Sequence, residues 1–203
     1  MDMRKPLILI VALTFLVGCN DTSKPAESEK PKPKGPELLT GRFGFYKMVV
    51  PAHTWARDAA PFSLESQVNS DATGKDGKAA VWRTGFASPT LRATKPYSWS
   101  GTDAQDAPSR GINPGSDGDY NPNNSNTTVF DPAFLKIDTD KVFETAQKHG
   151  GEKILTADAN TPVHYRLSWD RNTSKLIWHV TYGDGKLVLE VDATTGNFIR
   201  VQK

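Results

Sequence analysis

Cysteine is almost missing from this 203-residue chain, which has one, Cys19. No disulfide can form within it, so the folded part must be held by its own core. A globular part of roughly 160 residues is large enough for that. Charge of one sign is missing too. The formal net charge is +2, and a near-neutral chain carries no electrostatic footprint for nucleic acid. Long apolar runs are absent as well: the stretch Leu7–Val17 has eleven residues, whereas a helix needs about 20 to cross a bilayer. Finally, there is no Gly-x-Ser-x-Gly elbow, no HExxH and no paired-carboxylate motif, so no familiar hydrolytic signature marks a catalytic residue.

What the N-terminus does have is an export signal. Arg4 and Lys5 precede the apolar run, and small Gly18 precedes Cys19. A short apolar segment between a basic start and a small residue is read as a cleaved signal covering residues 1–18. Leu16-Val17-Gly18-Cys19 resembles the lipobox of bacterial lipoproteins. The resemblance implies lipid attachment at Cys19, and so a protein of the bacterial cell envelope that reaches a membrane through its lipid anchor, facing the periplasm in a two-membrane cell. Residues 19–37 are rich in Lys and Pro, with Lys30-Pro31-Lys32-Pro33 at their centre. Such a stretch buries too little to order itself, and it reads as a stiff tether.

The C-terminal part, 138–203, has the clearest periodicity. Asp138 or Thr139 can cap a helix whose Val142, Phe143 and Ala146 share a face, and Gly150-Gly151 should stop it near His149. After Pro162 the period becomes two. Val163, Tyr165, Leu167 and Trp169 alternate with polar residues, as do Leu176, Trp178, Val180 and Tyr182, predicting strands at 163–169 and 176–182 with Trp169 opposite Leu176. A two-residue turn is expected at Asp184-Gly185, with Val180 opposite Leu187 and Trp178 opposite Leu189. Further strands are expected at 187–191 and 198–201.

Val188-Leu189-Glu190-Val191-Asp192-Ala193-Thr194-Thr195-Gly196, following Leu176–Val180 and a helix that ends in Gly-Gly, resembles the PepSY domain. That resemblance implies an exported, non-enzymatic module that binds or restrains proteases, with no catalytic residues to carry over.

A diverged copy is expected at 38–100. Val81-Trp82-Arg83-Thr84-Gly85-Phe86 aligns with Ile177–Tyr182 and matches the Trp. Upstream, Phe45, Met48, Val49, Ala52, Trp55, Ala56 and Ala59 fall at helical spacing, with Pro51 expected to kink or break the helix. Lys95–Trp99 stands where the Val-Asp-Ala-Thr-Gly turn would be, and residues 101–137 read as a long polar loop without a period. The expected fold class is therefore α+β, two helix-plus-antiparallel-meander units packed together.

Candidate binding groups are few. Asp117-Gly118-Asp119-Tyr120-Asn121 spaces oxygens as a calcium loop begins, but Pro122 and Thr128 occupy positions that need glycine and glutamate. His164 and His179 should lie diagonally on a polar sheet face with Arg166 between, without an acidic partner. No catalytic, metal or cofactor residue is assigned. Five Trp residues, at 55, 82, 99, 169 and 178, fit a core better than a sugar platform. The reading is a membrane-tethered, non-enzymatic binding module whose partner is an exported protein or protease, with no nucleic acid. An envelope hydrolase and a purely structural lipoprotein remain the alternatives.

Overall fold

The structure is a computed structural model describing residues 34–202. The signal segment, Cys19 and the tether as far as Pro33 lie outside the described residues. In chain order the elements are β1 (Leu39–Thr40), α1 (Gly41–Trp55), β2 (Ala60–Gln67), β3 (Lys78–Ala79), β4 (Val81–Ser88), β5 (Ala93–Ser100), β6 (Gly111–Pro114) and β7 (Gly118–Asp119). There follow α2 (Thr139–Ala146), α3 (Glu152–Ala157), β8 (Val163–Asp170), β9 (Lys175–Tyr182), β10 (Leu187–Asp192) and β11 (Phe198–Val201). The fold is α+β, as expected. One antiparallel sheet runs β11-β10-β9-β8-β2-β4-β5-β6, with β7 added to β5.

Each half is a helix followed by a four-stranded meander, and the halves join by their first strands. Leu64 pairs with Leu167 and Glu65 with Arg166 across β2 and β8. One side of the joined sheet carries the core: Leu64, Trp82, Phe86, Tyr165, Leu167, Trp178, Val180, Leu189 and Val191 are all buried. Period-two alternation puts these on a single face. α1 covers that face over β4 and β5, and α2 covers it over β9 and β10.

The two central indoles meet edge to face, with ring centroids 6.5 Å apart, an arrangement favoured by the aromatic quadrupole. Both N–H groups are satisfied in the same way. Trp82 donates to the Leu39 carbonyl at 2.8 Å and Trp178 to the Ile137 carbonyl at 3.1 Å; each acceptor lies two residues ahead of a helix. Gly44 is required where α1 crosses Trp82, since a Cβ there would stand 2.5 Å from the indole.

The helix starts are interlocked. Asp138 Oδ1 accepts from the backbone N–H of Thr139 at 2.7 Å and of Arg42 at 2.9 Å, and Oδ2 accepts from the Thr40 hydroxyl at 2.6 Å. Thr139 Oγ1 accepts from Gly41 N at 2.8 Å. Residues at the head of α2 therefore satisfy the orphan donors of α1 as well.

Several expectations need correction. The glycines near 150 do not end the helical segment. Gly150, at φ 119°, kinks it through a wide turn at Gln147–Gly151, and α3 resumes at Glu152. Pro51 lies inside α1 without breaking it; a lone proline removes one hydrogen bond, and its freed acceptor, the Lys47 carbonyl, belongs to an exposed residue. Lys95–Trp99 is part of β5, and the expected polar loop at 101–137 supplies β6 and β7. Part of the expected tether is fastened to the fold: Glu37 N donates to Gly101 O at 2.9 Å, and Arg110 donates to Lys34 O at 3.0 Å.

The β8–β9 register is the expected one, with Trp169 opposite Leu176. The β9–β10 register is shifted. Tyr182 faces Leu187, Val180 faces Leu189 and Trp178 faces Val191, which is the pairing that a turn centred on Asp184-Gly185 sets when Gly183 stands opposite Lys186; the expected pairing is out by two residues. A slip of two keeps every side chain on its original face, so the hydrophobic pattern could not distinguish the two registers.

Candidate functional site

The shifted register changes which polar groups meet. On the side of the sheet away from both helices, one continuous row crosses eight strands. In order along it, Arg200, Glu190, His179, Arg166, Glu65, Arg83, Ser98 and Asn113 are each directly opposite the next. Facing residues on neighbouring strands have Cβ atoms about 4.5–5.5 Å apart, and opposite charges so placed attract.

The row is tightly built at the β11 end. The Glu190 side chain is 3% exposed and takes Arg200 Nε at 2.7 Å, Arg200 Nη2 at 3.0 Å and Gln202 Nε2 at 2.6 Å. Burial alone would raise its carboxyl, but the bonds from Arg200 and Gln202 outweigh that and hold it below its ordinary value. His179 Nδ1 lies 3.8 Å from Glu190 Oε1. Burial pulls the imidazole below its ordinary value; Glu190 opposes this, and Arg166 and Arg200 add to it. Below this group Lys175 pairs with Asp192 at 3.4 Å.

The middle of the row is open. Glu65, Arg83 and Arg166 are exposed, and among the described residues none of the three belongs to an ion pair within 4.0 Å. At the far end Arg83, Pro96, Ser98, Asn113 and Gly115 line a shallow cavity of about 230 Å³. The arrangement thus offers fixed polar groups at one end and uncommitted charges in the centre.

Ser168, His179 and Glu190 invite comparison with a hydrolytic triad, since Ser168 Oγ is 3.3 Å from His179 Nε2. The chemistry does not follow. Glu190 is already occupied by Arg200 and Gln202, and its 3.8 Å separation from Nδ1 is too long for an orienting hydrogen bond. Gln202 Nε2 lies 3.3 Å from His179 Nδ1; donating there, it would fix the proton on Nε2 and leave no base facing the serine. Ser168 lies within β8, directly opposite Ile177, in extended backbone whose successive N–H groups point to opposite sides rather than converging on one oxygen as an oxyanion hole requires.

The residues singled out from sequence are scattered. His164 faces Thr181 on β9, with Arg166 opposite His179 as expected, but the expectation that His179 lacks an acidic neighbour fails because Glu190 faces it. Asp117 pairs with Lys95 at 2.5 Å and accepts from Trp55 at 3.3 Å, which commits the first oxygen of the calcium-like segment. No cluster of three metal-ligating side chains occurs among the described residues. Trp82, Trp99 and Trp178 are core, Trp169 packs against it, and Trp55 sits half-buried under Lys95. Cys19 lies outside the described residues. Glu190, Arg200 and Gln202 escaped sequence reasoning, and the signal that could have found them is the Asp184-Gly185 turn itself, since counting outward from it sets His179 opposite Glu190.

No family model and no curated protein matches the chain. Among solved structures it is similar to a Clostridium difficile 630 protein classed provisionally as a lipoprotein, at 12% identity and a TM-score of 0.51, covering 78% of this chain and 91% of that one, a likeness of fold.

Proposed function

We propose that this protein is a lipid-anchored component of the bacterial cell envelope that binds another exported protein, without catalysis, through the open face of its sheet. The observation that carries the binding role is the eight-strand polar row, whose central Arg166, Glu65 and Arg83 hold no ion pair among the described residues while its Glu190 end is fixed by Arg200 and Gln202. An aligned set of charges at strand spacing suits a polypeptide surface of complementary sign. Leu16-Val17-Gly18-Cys19 supports the anchor, as does the fold shared with a protein classed provisionally as a lipoprotein. The PepSY-like pattern at Val188–Gly196 makes a protease or its substrate the first partner to try.

One experiment in intact cells tests both parts. A photo-crosslinking residue at Ser98, expressed in the full chain, should give a discrete protein adduct that Arg83→Glu with Arg166→Glu abolishes, and fatty-acid labelling should disappear in Cys19→Ala. Adducts unchanged by the charge reversals would overturn the sheet face as the binding site. Labelling of Cys19→Ala equal to wild type would overturn the anchor.

A further inference from the structure

The helix side of the molecule has a second apolar surface that the core does not use. α1 buries Gly41, Gly44, Phe45, Met48 and Ala52. On its opposite side Phe43 is 66% exposed, Tyr46 49% and Val50 72%. At 100° per residue these three fall within an arc of about 60°, centred roughly opposite Phe45, Met48 and Ala52. A helix that needs only one apolar face to pack has here been given two.

The charge carried by α1 itself has one sign. α1 contains Arg42 and Lys47 and no acidic residue. Arg42 donates to the carbonyl of exposed Lys136 at 3.1 Å, which brings that lysine to the same end of the helix. Of the carboxylates near α1, Asp138 is committed to capping it and Asp117 to Lys95, while Asp131 shares a cavity with Val49 and His53 on one flank of the helix. Aromatic and aliphatic side chains flanked by Arg and Lys suit the interface of an anionic bilayer, where the rings enter the headgroup layer and the cations meet phosphate.

From these observations we propose that the outward stripe of α1 lies on a phospholipid bilayer. The idea rests on the lipid-anchor reading only for supplying that bilayer within reach. Cys19 precedes Gly41 by 22 positions, an extended span of at most about 80 Å, so an anchored chain keeps the helix at high effective concentration near the surface. With α1 against lipid, the polar row on the opposite side of the sheet faces away from the membrane.

The test uses a chain starting at Lys34, which holds every residue of the core and lacks Cys19, so that lipidation cannot contribute. It should co-sediment with vesicles of phosphatidylglycerol and phosphatidylcholine at 3:7 and bind pure phosphatidylcholine more weakly. Phe43→Ser with Val50→Ser should lower the partition coefficient about tenfold or more while leaving the denaturation midpoint unchanged, and Lys47→Glu should lower it several-fold. Tyr46→Trp should shift its fluorescence to the blue when vesicles are added. Partitioning insensitive to these substitutions, or none at all, would overturn the proposal. So would a dimer in sedimentation that Phe43→Ser and Val50→Ser dissolve in the absence of vesicle binding, because the stripe would then be a contact between two copies. Failure of acyl labelling at Cys19 would leave these outcomes untouched.

Discussion

At the scale of residues, the most informative pair is His179 and Glu190. Burial lowers the histidine from its usual 6.5, so its folded form prefers to be neutral. The stability this confers is complete above 6.5 and is lost as pH falls from there through the lowered value, because the unfolded chain takes up the proton first. Glu190 lies below its usual 4.5, and its contribution is present above that value and lost as pH falls further. Both act in the same direction. The urea midpoint should be flat near pH 8, decline below about 6.5 and decline again below about 4.5. His179→Gln should remove the first decline and keep the second; a midpoint that rose between pH 7 and 5.5 would refute the assignment. Arg200→Ala should lower the urea midpoint and shift the second decline to higher pH, because Glu190 would then keep its burial and lose the bonds that hold it low. None of this could be reached from the sequence without the β9–β10 register, since a slip of two residues puts Val188 opposite His179 in place of Glu190.

At the scale of elements, the strands of the C-terminal half were legible within a residue or so because Tyr165, Leu167, Trp178 and Val180 alternate cleanly with polar neighbours. The helix kink and the strands at 111–119 were less so, for different physical reasons. Gly150 can stop a helix or bend it, and which occurs depends on tertiary contacts such as His149 stacking on Phe198 at 3.8 Å. β6 and β7 are held by backbone pairing to β5, which leaves little hydrophobic pattern to read. Asp138 was recognisable as a cap for its own helix, but its service to α1 spans 96 residues to Arg42 and has no local trace. That double duty makes a prediction. A single cap lost to alanine costs about 1 kcal/mol; Asp138→Ala, which unfastens two helix starts, should cost about 2 kcal/mol in urea unfolding. Asp138→Asn, keeping one acceptor, should fall between. A cost near zero would mean that the bonds to Arg42 N and Thr40 contribute nothing to folding.

At the scale of the whole molecule, the sequence pointed to two similar units and the structure fuses them. Trp82 and Trp178 stand on the second strand of each meander, and each indole reaches the carbonyl two residues ahead of its helix. Their rings also touch across the midline. The sheet is continuous through Leu64 and Leu167, and the start of α2 caps α1. A fragment covering 138–203 would therefore expose the edge of β8 and one flank of Trp178, and should show no cooperative unfolding by itself. Truncating an indole that is 0% exposed leaves a cavity costing about 3–5 kcal/mol, a large share of the roughly 5–15 kcal/mol that holds an ordinary domain together. Trp82→Ala and Trp178→Ala should therefore each lower the denaturant midpoint steeply, and each should do so in one transition followed identically by far-UV dichroism and by the fluorescence of the remaining indoles. If the halves were energetically separate, Trp82→Ala would instead split unfolding into two steps, with the half containing Trp178 melting at its original midpoint. That pattern would show that the shared core between the two indoles does not couple them.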